Sequence, residues 1–298
     1  MSGINVAFNS AAVDLVAALR RPVMPGFHAA FSLGGMAGAG LGALVAGTLS
    51  PVRHLLGITV IGLLVTAAAG RTLLRHAPPV PPERAPRDAP RGAPQDVPRG
   101  TPRDVPRDAP PVRRMAAGTR GPVVTFGLIA LCTSYGEGAL ADWGALHLRQ
   151  DLDAAPGVAA VGYSCFALAM TAGRLTGTAL LERLGRTRTL AAGGATAATG
   201  MLLGALAPST WAVLLGFAVT GLGLANSFPV AVERAGALAG PGGVAVASTF
   251  GYGGMLLGPP AIGFMADWFS LPAALTSVAA LAALAALVAL TTRRAASG

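Results

Sequence analysis

The chain has 298 residues, of which 53% are hydrophobic and only 12% charged, and its mean hydropathy is +0.59. This composition excludes an ordinary soluble domain, in which about 25% of residues are charged. The formal charge of +9 comes from 22 basic positions that are all arginine, so the placement of these arginines decides between nucleic-acid binding and membrane topology.

Long apolar segments follow one another along the chain, and a helix needs about 20 such residues to cross a bilayer. Residues 1–19 resemble the inner part of a membrane helix and lack the basic start of a cleavable signal. The full spans that the sequence predicts are 27–49, 53–70, 122–144, 156–178, 189–207, 211–231, 244–266 and 272–291. Both cysteines, Cys132 and Cys165, fall inside spans, which favours packing over a disulfide or a metal site.

The arginines indicate the orientation of these spans. If the first helix runs toward the cytoplasm, every arginine except Arg53 and Arg149 falls on the cytoplasmic side. Such an excess in cytoplasmic loops is the usual topology signal of membrane proteins. The sequence therefore predicts a cytoplasmic linker and C-terminus, and it gives no reason to expect nucleic-acid binding.

Residues 71–121 form the longest connection, which we expect to be a disordered Arg/Pro-rich cytoplasmic linker. From residue 83 to residue 110 it repeats a four-residue unit that ends in proline, with ERAP, RDAP and RGAP as its first copies. Proline at every fourth position is incompatible with helix, and the segment has little apolar surface to bury. A solvated linker is favoured over an arm that binds anionic lipid.

An internal repeat relates two parts of the chain. A shift of 219 residues aligns Phe31-Ser-Leu-Gly-Gly-Met with Phe250-Gly-Tyr-Gly-Gly-Met and places Asp14 on Glu233. Parallel repeats of this kind relate the two six-helix halves of some transporters. By the same rule, the first three helices of the first half would precede Met1, which implies roughly a hundred further residues.

Two motifs resemble the major facilitator superfamily of transporters. Gly173-Arg174-Leu-Thr-Gly177 and Glu182-Arg183-Leu-Gly185-Arg186-Thr-Arg188 are similar to its signature between helices 8 and 9, with Glu182 in place of the usual Asp. The Gly/Pro-rich stretch from Gly253 to Gly263 resembles its helix 11. Other segments, including the stretch from Glu137 to Trp143, resemble a bacterial inner-membrane branch near the sugar permeases.

This resemblance implies an all-α membrane protein whose incomplete N-terminal bundle precedes a complete six-helix C-terminal bundle. Residues 1–70 would hold part of helix 4 and helices 5 and 6, while residues 122–292 would hold helices 7 to 12. In the family, helices 1, 4, 7 and 10 line a central cavity. The polar side chains predicted on these helices are Asn5, Asn9, Glu137 and Asn226.

Glu137 is the main candidate for chemistry in the substrate or proton pathway. A charged side chain near the bilayer centre costs about 2.5–3.5 kcal/mol on insertion scales, and such residues usually face a cavity. We expect Glu137 to carry a proton or to contact substrate, in preference to a purely structural role. Asp142 is an additional candidate near the outer interface, where solvation alone would also explain a carboxylate.

The remaining polar residues leave alternatives open. Asn5, Asn9 and Asn226 would suit a hydroxyl-rich ligand, or they would form interhelical hydrogen bonds. His28 is read mainly as a capping or loop contact and Asp267 as structural, while the three tyrosines would either line the cavity or pack. The signature residues should form a charged cytoplasmic gate, with Arg174 as an added member, and they are Gly173, Arg174, Gly177, Glu182, Arg183, Gly185, Arg186 and Arg188.

The sequence thus predicts a secondary transporter that moves a small organic solute, sugar-like or drug-like, by proton-coupled alternating access in a bacterial plasma membrane. The alternative is a truncated membrane protein that binds ligand without transporting it. An enzyme is disfavoured because no second acid, metal-ligand cluster or nucleophile–base spacing accompanies Glu137. No cofactor or metal is expected, and no phosphate-binding loop points to an ATP-driven pump.

Overall fold

The computed structural model describes residues 2–45, 50–75 and 117–291, and the regular elements within them are all α-helices. The helices are α1 (Ser2–Leu19), α2 (Met24–Val45), α3 (Pro51–Arg75), α4 (Ala117–Gln150), α5 (Pro156–Leu175), α6 (Gly177–Leu206), α7 (Thr210–Leu224), α8 (Ser227–Trp268) and α9 (Leu271–Thr291).

Five of the predicted spans, 53–70, 122–144, 189–207, 244–266 and 272–291, match one helix or part of one to within a residue. The other three do not: 156–178 runs from α5 into α6, 211–231 crosses from α7 into α8, and 27–49 extends past the end of α2 into residues outside the described ones. Helix α3 extends to Arg75 and α4 begins at Ala117, so helix covers both margins of the 71–121 segment. Residues 76–116, which include the proline repeat, lie outside the described residues, and so do residues 46–49.

Two of the helices contain a sharp break where the sequence predicts a turn. In α6, Gly185 has φ 75° and ψ 166°, which separates residues 177–184 from residues 186–206. In α8, the break is at Ala239 and Gly240, and Gly240 also has a positive φ of 57°. Side chains rarely adopt these backbone angles, so glycine is what permits each change of direction.

By length and composition, the described residues contain six helical segments that are long and apolar enough to cross a membrane. The segment Thr210–Trp268 has 59 residues, so it is long enough for more than one crossing. Together with the all-helical architecture, this confirms the prediction of an all-α, multi-pass membrane protein.

Contacts divide the chain into two compact units, of which Met1–Met36 with Arg114–Gly298 form the larger. Within it, α4 packs mainly on α8, α6 on α7 and α9, and α1 on α8. The smaller unit is Ala37–Arg113, and the apolar side chains of its helix α3 whose placement is described are nearly all exposed, as in a lipid-facing helix.

Close backbone approach explains the packing of α4 on α8. A methyl group at Gly258 would lie 2.7 Å from the carbonyl oxygen of Tyr135, and one at Gly254 would collide with the carbonyl of Leu131. Small residues promote such contact between membrane helices, where packing replaces the hydrophobic effect as the driving force. Gly254 and Gly258 thus let the backbones of α4 and α8 approach closely.

The interior of the larger unit has two apolar clusters. One surrounds Phe166 and Phe217, and the other contains Met24, Phe126 and Val230. We call the end of the helices that carries Arg21, Arg186 and Arg234 the basic end.

Candidate functional site

A buried ion pair joins two consecutive helices of the larger unit. The Arg174 guanidinium on α5 places Nη2 3.8 Å from Oε2 of Glu137 on α4. Arg174 is 7% exposed, whereas the side chain of Glu137 is 25% exposed. The distance is too long for a hydrogen bond, so the two groups attract each other only as charges.

Arg174 also binds two other parts of the chain. Its Nε donates to the carbonyl of Ala225 at 3.3 Å, and its Nη1 donates to the hydroxyl of Ser32 on α2 at 2.5 Å. The sequence motif suggested that Arg174 joins the gate at the basic end. The structure instead directs its side chain toward Glu137.

The position of Arg174 follows from the break between α7 and α8. Helix α7 ends at Leu224, and the Ala225 carbonyl accepts from Arg174. Asn226 then donates from Nδ2 to the Gly173 carbonyl at 3.1 Å. Methyl groups at Gly173 and Gly177 would clash with Ala225 and Asn226, so these glycines let α5 and α6 approach the break. The Asn226 amide therefore makes an interhelical hydrogen bond.

Two further titratable groups lie around the ion pair. Tyr163 on α5 interacts electrostatically with both Glu137 and Arg174. His28 on α2 interacts with the charge of Arg174, and its ring meets Phe228 edge to face at 5.5 Å. The buried Nε2 of His28 has no hydrogen-bond partner among the described residues. The structure thus brings four polar side chains from three helices into one region, which we call the central cluster: Glu137, Tyr163, Arg174 and His28.

At the basic end, two donors of Arg186 share one carboxylate oxygen of Glu233. Its Nη2 and Nε donate to Oε1 of Glu233 at 2.6 and 3.1 Å, and Glu233 is 2% exposed. The break at Gly185 lies directly before Arg186. Sequence reasoning named Glu233 only as the repeat partner of Asp14, so its role as the partner of Arg186 was missed.

A second pair joins the turn between α1 and α2 to the start of α6. Arg21 Nε donates to Oε1 of Glu182 at 2.8 Å, and Thr178 donates to the Pro22 carbonyl at 3.1 Å. The hydrogen bond to Glu182, and then its charge, raises the pKa of Arg21 above its ordinary value. Because both side chains are exposed, solvent screens this pair far more than the pair of Arg186 and Glu233. Arg183 and Arg188 are exposed as well.

At the opposite end, α4 and α8 border an open groove of about 430 Å³ that is mainly apolar. Asp142 and Trp143 lie on its α4 side, and the Trp143 indole donates to the Pro259 carbonyl at 2.9 Å. Asp142 is exposed there and belongs to a different region from Glu137.

His147 is a buried residue that sequence reasoning did not identify. Its Nδ1 lies 2.8 Å from Oδ2 of Asp151, and its Nε2 lies 3.1 Å from the Gly204 carbonyl on α6. The His147 ring thus contacts both the end of α4 and the backbone of α6. The signal in the sequence was a His followed four residues later by an Asp.

The two asparagines predicted on the first helix belong to α1, which packs against α8. Asn9 is buried, and for Asn5 only its place in the helix is described. Among the described residues, no group of three His, Cys, Asp or Glu side chains is arranged to hold a metal ion.

Residues 126–298 match the family profile described as Major Facilitator Superfamily. An uncharacterized MFS-type transporter of Yersinia pestis is 34% identical over 94% of this chain and 66% of the relative. An uncharacterized transporter of Sinorhizobium fredii, y4wD, is 32% identical over 89% of this chain and 64% of the relative. The membrane protein MosC of Rhizobium meliloti is 34% identical over 53% of this chain and 40% of its own length. The chain therefore spans just under two thirds of the length of the first two relatives.

Proposed function

Because the chain belongs to the major facilitator superfamily, we propose that it is a secondary active transporter that moves a small organic solute by alternating access. The observation that carries the proposal is the ion pair of Glu137 and Arg174, which lies between helices long enough to span a bilayer. Charged residues in such helices are costly and usually mark a substrate or proton pathway. A transporter of this kind catalyses no covalent reaction.

The basic end supplies the second element, a gate. The Arg21–Glu182 and Thr178–Pro22 contacts join the α1–α2 turn to the start of α6, so they would be broken when the two helix groups separate. The Arg186–Glu233 pair joins α6 to α8 and would persist. Weak, exposed contacts between the moving parts suit a gate that must open in every cycle.

We place this gate on the cytoplasmic side of a bacterial plasma membrane, with the linker and the C-terminus on the same side. The arginine distribution supports this orientation through the positive-inside rule. In this scheme Glu137 takes up and releases the coupling proton. The other pathway residues would be Asp142, which lies in the outer groove, and Asn5, Asn9 and Asn226.

The test is uptake into proteoliposomes that contain the purified chain, with an inward proton gradient and a panel of radiolabelled sugars, amino acids, carboxylates and amphiphilic cations. We expect gradient-driven accumulation of one class, and we expect Glu137→Gln to abolish it while exchange without a gradient survives. Asp267→Asn removes an exposed carboxylate from the end of α8 and is the matched control.

Two results would count against the proposal. Proton-driven accumulation that is unchanged in Glu137→Gln would remove Glu137 from the proton pathway. A folded, correctly oriented protein that exchanges no member of the panel would argue against transport itself.

A further inference from the structure

The Arg174 guanidinium has more N–H donors than its two hydrogen bonds use. Nε donates a hydrogen bond to the Ala225 carbonyl, and Nη1 donates one to the Ser32 hydroxyl. Nη2 forms only the 3.8 Å ion-pair contact with the carboxylate of Glu137. The carboxylate of Glu137, in turn, accepts no hydrogen bond from the part of the chain that the structure describes. Each of the two charged groups can therefore form further hydrogen bonds on the side that faces the other group.

Glu137 is also the one carboxylate in ion-pair contact with Arg174 among the described residues. The other titratable groups that interact with Arg174 are Tyr163 and His28, and both are neutral or cationic unless the phenol ionises. Helices α7 and α9 contribute no Asp, Glu, Lys or Arg. On α8, the Glu233 carboxylate is bonded to Arg186, and Asp267 lies exposed at the far end.

These facts link the coupling proton to the chemistry of the substrate. A buried guanidinium keeps its charge at all relevant pH values, and an uncompensated buried charge is strongly unfavourable. If Glu137 takes up a proton, as the proposed transport cycle requires, Arg174 loses its counter-ion. The proton must therefore arrive together with another anion.

We infer that the substrate is a small organic monocarboxylate, which binds Arg174 while Glu137 takes up the coupling proton. This rests on the function proposed above. The carboxylate of the substrate takes the free N–H groups of Arg174, in the paired geometry that guanidinium and carboxylate favour. The proton comes from water and forms an O–H bond at Glu137, so the net charge of the site is zero before and after binding. One proton and one monoanion then cross together without net charge movement.

Other substrate classes fit this site less well. A cation would have to bind beside Arg174, which repels it, while Glu137 is already drawn to the guanidinium. A neutral sugar could bridge the two charges, but it would leave Arg174 without a counter-ion whenever Glu137 is protonated.

The test follows the protonation of Glu137 directly, by infrared difference spectroscopy on the full chain in lipid nanodiscs. The probes are lactate, benzoate and gluconate, each matched with its neutral amide. We expect at least one carboxylate to produce the C=O band of a protonated acid, and we expect the matched amide to produce none. The affinity of that carboxylate should weaken by about tenfold per pH unit once Glu137 is ionised in the free protein, because binding takes up one proton.

Two variants make the result specific. Glu137→Gln mimics the protonated acid, so it should bind the same carboxylate with an affinity that no longer depends on pH, and the infrared band should vanish. The double variant Glu137→Gln with Arg174→Gln is neutral throughout and should lose carboxylate binding while its circular dichroism stays unchanged. Asp267→Asn should behave like the unsubstituted chain.

The inference is overturned if amides bind as well as acids, if no carboxylate protonates Glu137, or if folded Glu137→Gln binds no carboxylate. Uptake of a sugar or an amine that depends on Glu137 would leave the transport function standing and reject the monocarboxylate. Carboxylate binding with proton uptake, in vesicles that show no transport, would support the inference and reject the transport function.

Discussion

The pair of Arg186 and Glu233 makes a quantitative prediction because its two side chains differ in burial. The Glu233 side chain is 3% exposed, and that of Arg186 is 32% exposed. Arg186→Gln leaves the buried carboxylate without its hydrogen-bonded partner, so that only the neighbouring charge of Arg234 acts on it, whereas Glu233→Gln leaves a guanidinium that can turn toward solvent. The two substitutions should therefore have unequal costs, even though they remove the same contact.

The magnitudes follow from this burial. Removing one partner of a fully buried pair costs about 3–5 kcal/mol, and the partial exposure of Arg186 lowers the expected cost of Arg186→Gln to about 2–3 kcal/mol. Glu233→Gln should cost about 1 kcal/mol. In the double variant, the interaction energy of the pair should be about 1.5–3 kcal/mol, as for other hydrogen bonds to charged groups.

The assay is equilibrium unfolding of the purified chain in mixed micelles with increasing SDS, followed by helical circular dichroism for both single variants and the double variant. The control is Arg188→Gln, which removes an exposed arginine of the same helix and should leave the midpoint unchanged. Equal costs for the two single variants, or a greater cost for Glu233→Gln, would refute the argument from burial.

Three further predictions can be checked with the same titration. Gly138→Ala puts a methyl group against the Met255 carbonyl and should lower the free energy of unfolding by about 1–3 kcal/mol. Gly253→Ala adds a methyl group with no atom within 4 Å and should not destabilise the protein. Similar midpoints for the two variants would contradict the close approach of α4 and α8. Gly185→Ala should cost about 1–3 kcal/mol because side chains rarely adopt a φ of 75°, even though no atom lies within 4 Å of the added methyl group. An unchanged midpoint would mean that the break tolerates a side chain. His147→Phe keeps a ring but loses both hydrogen bonds, and it should cost about 1–3 kcal/mol; a stability equal to that of the unsubstituted chain would show that neither bond contributes.

The helices could be predicted from the sequence because a membrane helix is fixed by local properties. The number of consecutive apolar residues determines how long the helix is, and glycine, proline and arginine residues mark where it ends. The break at Gly185 falls inside the signature motif, so its position was also visible. The family followed from the same motif, and the comparisons confirm it.

The partners of the charged residues could not be predicted, because they depend on how distant segments pack. Arg21 and Glu182 are 161 positions apart, and no local pattern joins them. Arg174 follows Gly173 in the signature motif and was therefore assigned to the gate, although its guanidinium turns back toward Glu137. The internal repeat aligned Glu233 with Asp14 and so pointed to Glu233, but the repeat alone does not show that Arg186 is its partner.

The central ion pair also bears on how the protein enters the membrane during synthesis. Glu137 and Arg174 lie on α4 and α5, which are consecutive in the chain and form a helical hairpin. A single charge near the bilayer centre, such as Glu137 within the long helix α4, costs about 2.5–3.5 kcal/mol on insertion scales, whereas Arg174 lies in the last turn of α5. If the hairpin leaves the translocon with the two charges already facing each other, the charge of Glu137 is compensated and α5 assists the insertion of α4. The same two residues that would handle proton and substrate in the mature protein thus make α4 and α5 a unit of biogenesis, and removing Arg174 alone should delay the integration of α4, which keeps the uncompensated charge of Glu137.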